Sequence, residues 1–382
     1  LNSRGPISVS SLAIFISFVA ILVFAWPASS LARDYESFGP ISARIQNPVY
    51  IQNLWLTARR AEVLPEGTIE ARIDSAYSNL FEKGSNATAA FNMDMELWRL
   101  AICAEYGLTR DLQIGIEIPL IETWGGFLDG FIQKFHSAFG FPNAGREMVP
   151  HNEFHYRFDA NGANRFDYAS TTPFGLGDIT LRVKNQLAGE DSDWPALSWF
   201  ADLKLPTGQK GRGLGSGAPD FGVGLALDTS WKRLHGYVNA AYYVNGGSAA
   251  LDGFMNTQSF EFMVAGELTL LPTWSLIVQL QGGTPLLKGT GLDEWDGVPM
   301  DLVVGFRGEE RDLVGEWGDL IWQFGFAEDV TSKGPSVDFT VYMSIGFRFD
   351  LFDRKRPAGD WLAARHEATQ GPDGIASRAD TE

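Results

Sequence analysis

From Asp338 to Phe349 the chain alternates without a break. Phe339, Val341, Met343, Ile345, Phe347 and Phe349 fall on one side, and Asp338, Thr340, Tyr342, Ser344, Gly346 and Arg348 on the other. A period of two sends neighbouring side chains to opposite faces of a β-strand, and a tilted strand of ~10 residues crosses a bilayer. After residue 32 no apolar run reaches the ~18 residues that a helical crossing needs. If the remainder of this chain spans a membrane, it does so as a closed barrel, because backbone groups in lipid must be bonded internally.

The alternation recurs. Phe260, Phe262, Val264, Leu268 and Leu270 oppose Glu261, Glu267 and Thr269; Ile179, Leu181, Val183 and Leu187 oppose Asp178, Thr180, Arg182, Lys184 and Gln186; Leu112, Ile114, Ile116, Ile118 and Leu120 oppose Gln113 and Glu117. The full set of segments is 67–79, 88–106, 112–121, 176–187, 195–205, 220–231, 235–245, 257–270, 274–283, 299–308, 317–327 and 337–349, about twelve strands. The second changes phase: Phe91, Met93, Met95 and Leu97 lead, then Trp98, Leu100 and Ile102 follow on the other parity, which implies a bulge.

Short and long connections alternate, and the longest, 122–175, has about 54 residues. That is the pattern of an outer-membrane barrel, with short periplasmic turns and longer external loops. A soluble sandwich, the competing all-β fold, has no reason to gather its long connections at one end. Trp55, Trp98, Trp194, Trp199, Trp231, Trp274, Trp295, Trp317 and Trp322 fall mostly near segment ends, as interfacial girdles would.

Around this barrel, 67–350, the other segments take distinct roles. Residues 1–32 carry Arg4, an apolar run from Leu12 to Trp26 and small residues Ser30 and Ala32, the features of a signal peptide cut after Ala32; an uncleaved anchor is the alternative. Residues 33–66 form a periplasmic segment, a plug or an added strand. Residues 351–382 form a polar C-terminal tail. The expected location is the outer membrane, with membrane lipid and the outer-membrane assembly machinery as partners. The net charge of −17 argues against nucleic acid, and Cys103, the sole cysteine, permits no internal disulfide.

Alternation assigns Glu70, Arg72, Asp74, Asp94, Glu96, Glu117, Arg182, Lys184, Asp202, Lys204, Glu261, Glu267, Asp301, Arg307, Asp319 and Arg348 to the lumen, since Lys or Arg facing mid-bilayer lipid costs ~2–4 kcal/mol. Whether these charges lock together or line a pore is open at this level. In the long connection Phe127, Phe131, Phe135 and Phe139 recur every fourth residue, predicting a short amphipathic helix that folds into the barrel mouth and presents aromatics to a hydrophobic solute, with His136 and Arg146 as further contacts. A lid packed on its own aromatics is the plainer alternative. His151 and His155 flank Glu153 in the order H-N-E-F-H, which lacks the zinc-protease arrangement, so no metal or other cofactor is assigned. No G-x-S-x-G occurs, and no catalytic residue is assigned. The Gly208–Gly217 stretch lacks the G-K-[ST] ending of a phosphate loop and reads as turn chemistry.

Four local patterns point to a family. They are Tyr106-Gly107-Leu108-Thr109-Arg110-Asp111-Leu112 with Ile116-Glu117-Ile118-Pro119-Leu120; Phe135-His136-Ser137-Ala138-Phe139-Gly140-Phe141-Pro142 with Gly145-Arg146; Gly175-Leu176-Gly177-Asp178; and Lys204-Leu205-Pro206-Thr207-Gly208 with Gly215-Ser216-Gly217-Ala218-Pro219-Asp220. Together, from Gln46 to Asp350, they resemble the family catalogued as domain of unknown function 3187, and more widely the barrels described as transporters for aromatic compounds. The resemblance implies a barrel in the outer membrane and supplies no reaction. One departure is that Phe349 is followed by a polar tail, where such barrels stop at a terminal aromatic. The expected function is a passive channel for a small, hydrophobic or aromatic solute, gated by 122–175; a closed structural or assembly barrel and a barrel-embedded lipid hydrolase are the alternatives.

Overall fold

The computed structural model describes residues 36–351 except 140–145, 190–194, 312–317, 332–333, 336 and 338. Residues 1–35, where a signal peptide is expected, and most of the C-terminal tail lie outside the described residues, as do Trp194 and Trp317. Fifteen strands form one sheet. They are β1 (Thr68–Ser85), β2 (Ala89–Gly107), β3 (Leu112–Trp124), β4 (His155–Ala160), β5 (Ala163–Asp167), β6 (Thr171–Leu176), β7 (Thr180–Ala188), β8 (Ala196–Lys204), β9 (Asp220–Trp231), β10 (Leu234–Asn245), β11 (Gln258–Leu271), β12 (Trp274–Gly283), β13 (Met300–Glu310), β14 (Asp319–Asp329) and β15 (Phe339–Asp350). Among the described residues two α-helices accompany them: α1 (Asp129–Phe139) and α2 (Asp293–Asp296).

Three short strands, β4 to β6, belong to the long connection; the other twelve close into an antiparallel barrel. Closure runs through β1 and β15, in register from Thr68↔Asp350 to Asn79↔Phe339. These twelve are the segments whose alternation marks them in the sequence. Side chains of the outward parity are apolar and open: Ile73 is 49% exposed, Ile102 47%, Phe221 51% and Ile345 55%. A wall carrying so much uncovered apolar surface suits lipid rather than water.

The expected bulge in β2 is absent. Its ladder with β1 runs unbroken from Ile69↔Tyr106 to Ser85↔Ala90, so parity never changes. What changes is the surroundings. Along the lower strand Trp98, Leu100 and Ile102 face outward while Arg99 and Cys103 face the lumen. Higher up, Phe91, Met93 and Met95 keep the inward parity but enter an apolar core at the mouth.

That core closes the long-connection end of the barrel. The β4–β5 hairpin extends β2 through the pairs Ala89↔Ala160 to Asp94↔His155 and places Tyr156, Phe158 and Phe166 among Tyr50, Trp55, Phe254 and Trp295. Trp295 of α2 stacks on Phe91 at 4.6 Å and meets Phe158 at 4.7 Å. Trp55 and Trp295, expected in girdles, are thus interior residues. Trp98, Trp199, Trp231, Trp274 and Trp322 keep the outward parity.

Candidate functional site inside the barrel

Residues 36–66 run inside the barrel. One limb rises from Phe38, turns through a short 3-10 helix at Tyr50–Gln52 and descends to the start of β1, with Ala58 N–H bonded to Ala43 O between the limbs at 3.3 Å. An isolated limb cannot bond its own amides, and buried amides need acceptors. The barrel wall provides them. Phe38 and Gly39 donate to Glu267, Ser42 to Gln323, Leu54 to Asp220, Leu56 to Glu261, Arg59 to Asn239, Ala61 to Asp228, Val63 to Gln186 and Leu64 to Gln113. Carbonyls are served likewise: Lys184 donates to Arg60 O and Glu62 O, Lys204 to Gln52 O, Arg307 to Pro40 O and Tyr342 to Arg44 O.

Other lumen charges hold one another. Glu117 joins Arg99 to Arg182. Arg59 of the inner segment grips Asp202 with two bonds of 3.0 and 2.8 Å and lies 3.9 Å over the Phe200 ring. Arg72 bridges Glu70, Asp74 and Glu105, and Arg348 bridges Glu70 and Glu309. Between these groups a cavity of about 40 Å³ is lined by Thr57, Arg72, Glu105, Arg182 and Lys184 among others, room for about three waters at ~10–15 Å³ each.

One buried cluster gathers two of the patterns on which the resemblance rests, the one ending at Asp178 and the one running from Lys204 to Asp220. Lys204 Nζ meets Asp178 Oδ2 at 2.8 Å, Asp220 Oδ2 at 3.0 Å and Ser216 Oγ at 2.6 Å, besides the Gln52 carbonyl at 2.7 Å. Asp178 also accepts the Gly208 and Ser216 amides. A Cβ on Gly208 or Gly215 would stand 2.9 or 2.6 Å from Asp178 Oδ1, so the glycine-rich stretch wraps a carboxylate and needs its missing side chains to do so. Sequence reasoning saw Lys204 but not Asp178 and Asp220 as its partners. Their signal was the acid ending each glycine-bearing pattern.

Glu70, Arg72, Arg182, Lys184, Asp202, Lys204, Glu261, Glu267 and Arg307 all face the interior and take part in these contacts or lie beside them. Asp94 and Glu96 do not. They share parity with Trp98 and Ile102 and so lie on the outer face, on the part of β2 that rises past the open apolar wall. Glu96 is buried there by the long connection: it accepts the Phe127 and Leu128 amides at 2.7 and 2.5 Å and the Tyr77 hydroxyl.

The predicted helix forms as α1, but it too lies outside the barrel. Asp129 at its start pairs with Arg146 at 2.5 Å and accepts the Asn152 amide at 2.7 Å, and the Arg146 guanidinium sits 5.1 Å over the outward Phe81 ring. Gly126, at φ +77°, passes so close to Glu96 that a Cβ would lie 2.0 Å from its carboxyl carbon. Phe127 and Phe131 are 68% and 53% exposed; Phe135, His136 and Phe139 fall within the helix. What covers the mouth is the β4–β5 hairpin. On its solvent side, hydrogen bonds from Arg157 and Asn164 hold the Asp159 carboxyl below the ordinary carboxylate range. His155 there pairs with Glu153 at 3.4 Å.

Among solved structures, the chain is similar to an outer membrane channel from Pseudomonas putida F1, with 15% identity over 77% of this chain and 100% of that one and a TM-score of 0.49. It is also similar to the CymD monoaromatic hydrocarbon channel (10% identity, 85% and 100% covered, TM-score 0.36) and to the P. putida toluene transporter TodX (9% identity, 84% and 100% covered, TM-score 0.34). No curated protein matches the sequence. Residues 13–349 match the family model described as "Protein of unknown function (DUF3187)", and the chain belongs to that family.

Proposed function

We propose that this protein is an outer-membrane channel for a small apolar or aromatic solute, inserted by the outer-membrane assembly machinery and gated from within by residues 36–66. The observation that carries the reading is how the inner segment is held. Its amides and carbonyls are bonded to wall side chains, which water or a solute can replace group by group, while the barrel ladder stays intact. The apolar lining of the mouth, with Tyr50, Phe91, Phe158, Phe254 and Trp295 in contact, favours an apolar solute over an ion or a sugar.

Single-channel recording in planar bilayers tests this. The intact protein should show a closed level with brief openings, and a variant lacking 38–64 a steady ohmic current. A folded deletion variant that passes no current sinks the channel reading. It would leave the second reading, a closed barrel with a structural or assembly role, which the filled lumen favours.

A further inference from the structure

The part of the long connection that lies outside the barrel sits at a particular height. Tyr77 is eight residues above Ile69 on the outward face of β1, which at ~3.3 Å per residue and a tilt of ~40° is about 20 Å, close to the upper edge of a ~25 Å apolar band. Aromatic rings gather at that level. Tyr77 meets Trp98, Trp124 and Phe127 at centroid distances of 6.1, 5.6 and 5.9 Å, and Trp98 meets Phe174 at 5.1 Å.

Immediately above stand Asn79, Phe81, Asp94 and Glu96, still outward-facing. Polar groups there could not face hydrocarbon, and they do not: Glu96 and Asp129 draw the chain of 125–129 and Arg146 down onto the wall. The clamp fixes α1 against the barrel with Ile132 buried, while Phe127, Phe131 and Met148 are each more than half exposed, the last 81%. The Phe127 ring joins this exposed apolar surface to the lipid-facing wall through its contact with Tyr77.

We infer that α1 is an interfacial helix: clamped to the barrel by Glu96, Asp129 and Arg146, it and the turn leading into it lay Phe131 and Phe127 into the headgroup–acyl boundary of the leaflet at the long-connection end. Its occupant is membrane lipid. An amphipathic helix at this boundary buries its apolar face ~5–10 Å deep and keeps its charged groups in the headgroup layer, where Lys134 is exposed. The inference rests on the membrane-barrel reading and on no property of the lumen.

Site-directed spin labelling tests it. In a Cys103→Ala background, Phe127→Cys, Phe131→Cys, Ile345→Cys on the wall and Lys210→Cys in a solvent-exposed turn are each labelled in protein refolded into liposomes. Heat-dependent gel migration verifies that each variant is folded. Collision rates with oxygen and with a water-soluble nickel chelate report depth. The Phe127 and Phe131 labels should favour oxygen several-fold more than Lys210 does and somewhat less than Ile345. If both match Lys210 while Ile345 stays lipid-like, α1 lies in water and the inference is wrong although the barrel spans the membrane. If Ile345 is itself nickel-accessible, the membrane reading fails and takes the inference with it.

Discussion

Replacing Lys204 with methionine tests how the inner segment is latched. The three side chains of the cluster are almost sealed from solvent, at 2% for Lys204, 1% for Asp178 and 0% for Asp220. Methionine keeps most of the volume and removes the charge, leaving two buried carboxylates without their shared cation and the Gln52 carbonyl without its donor. Breaking a buried ion pair from one side costs ~3–5 kcal/mol, most of it the penalty of the stranded partner. Because Lys204 joins the wall to the turn of the segment, the cost falls on the docked state of 46–56, whose opening equilibrium should rise by roughly two to nearly four orders of magnitude at ~1.4 kcal/mol per tenfold. Hydrogen exchange with mass spectrometry on the detergent-refolded protein reads this directly. Peptides spanning 46–56 should exchange faster in Lys204→Met, while those of β10 and β14 stay protected. Adding Asp178→Asn and Asp220→Asn should return part of the protection, because the stranded charges are then gone. Unchanged exchange at 46–56 would refute the latch. So would a uniform rise across all strands, which would make Lys204 a support of the barrel rather than of the segment.

Three further outcomes follow from the outer clamp and the core. Arg146→Ala strands the buried Asp129 and should expose 125–154 to limited proteolysis at least tenfold faster, with heat-dependent gel migration of the barrel unchanged; equal cleavage rates would contradict the clamp. Gly126→Ala combines a positive φ with a contact on Glu96 and should destabilise the same connection by ~1–3 kcal/mol, seen as faster exchange of the 125–139 amides; a neutral result would mean that the turn relaxes freely. The Cys103 thiol, 1% exposed in the lumen wall, should resist maleimide until the barrel is unfolded in denaturant, and rapid labelling of native protein would show that water and reagent reach this level of the lumen.

What could be read from the sequence was whatever a period of two encodes. Alternation located all twelve barrel strands because each spans two environments, lipid outside and polar groups inside, and composition must follow. The helix in the long connection was legible for the same kind of reason, from aromatics at a spacing of four. Two features misled. Along β2, apolar residues on both parities look like a phase slip, but Phe91, Met93 and Met95 are apolar because the mouth above the lumen is a core. Asp94 and Glu96 look like lumen residues, but β1 and β2, at 18 and 19 residues, outrun the bilayer and carry their outward acids into a region covered by protein.

The short strands β4 to β6 were not legible either, since they are too short for a period to stand out; β4 and β6 pair with the projecting ends of β2 and β3, and β5 pairs with β4. The sequence by itself determined the wall: local alternation decides strand, face and count, because those depend on each residue's immediate solvent. Only the tertiary structure decided what the wall encloses and what leans on it. That Glu261 serves Leu56, that Lys204 holds Gln52, and that Glu96 seats α1 outside the barrel are pairings across 205, 152 and 31 positions of chain. No local pattern records them, because each is set by which groups closure of the barrel leaves in need of a partner.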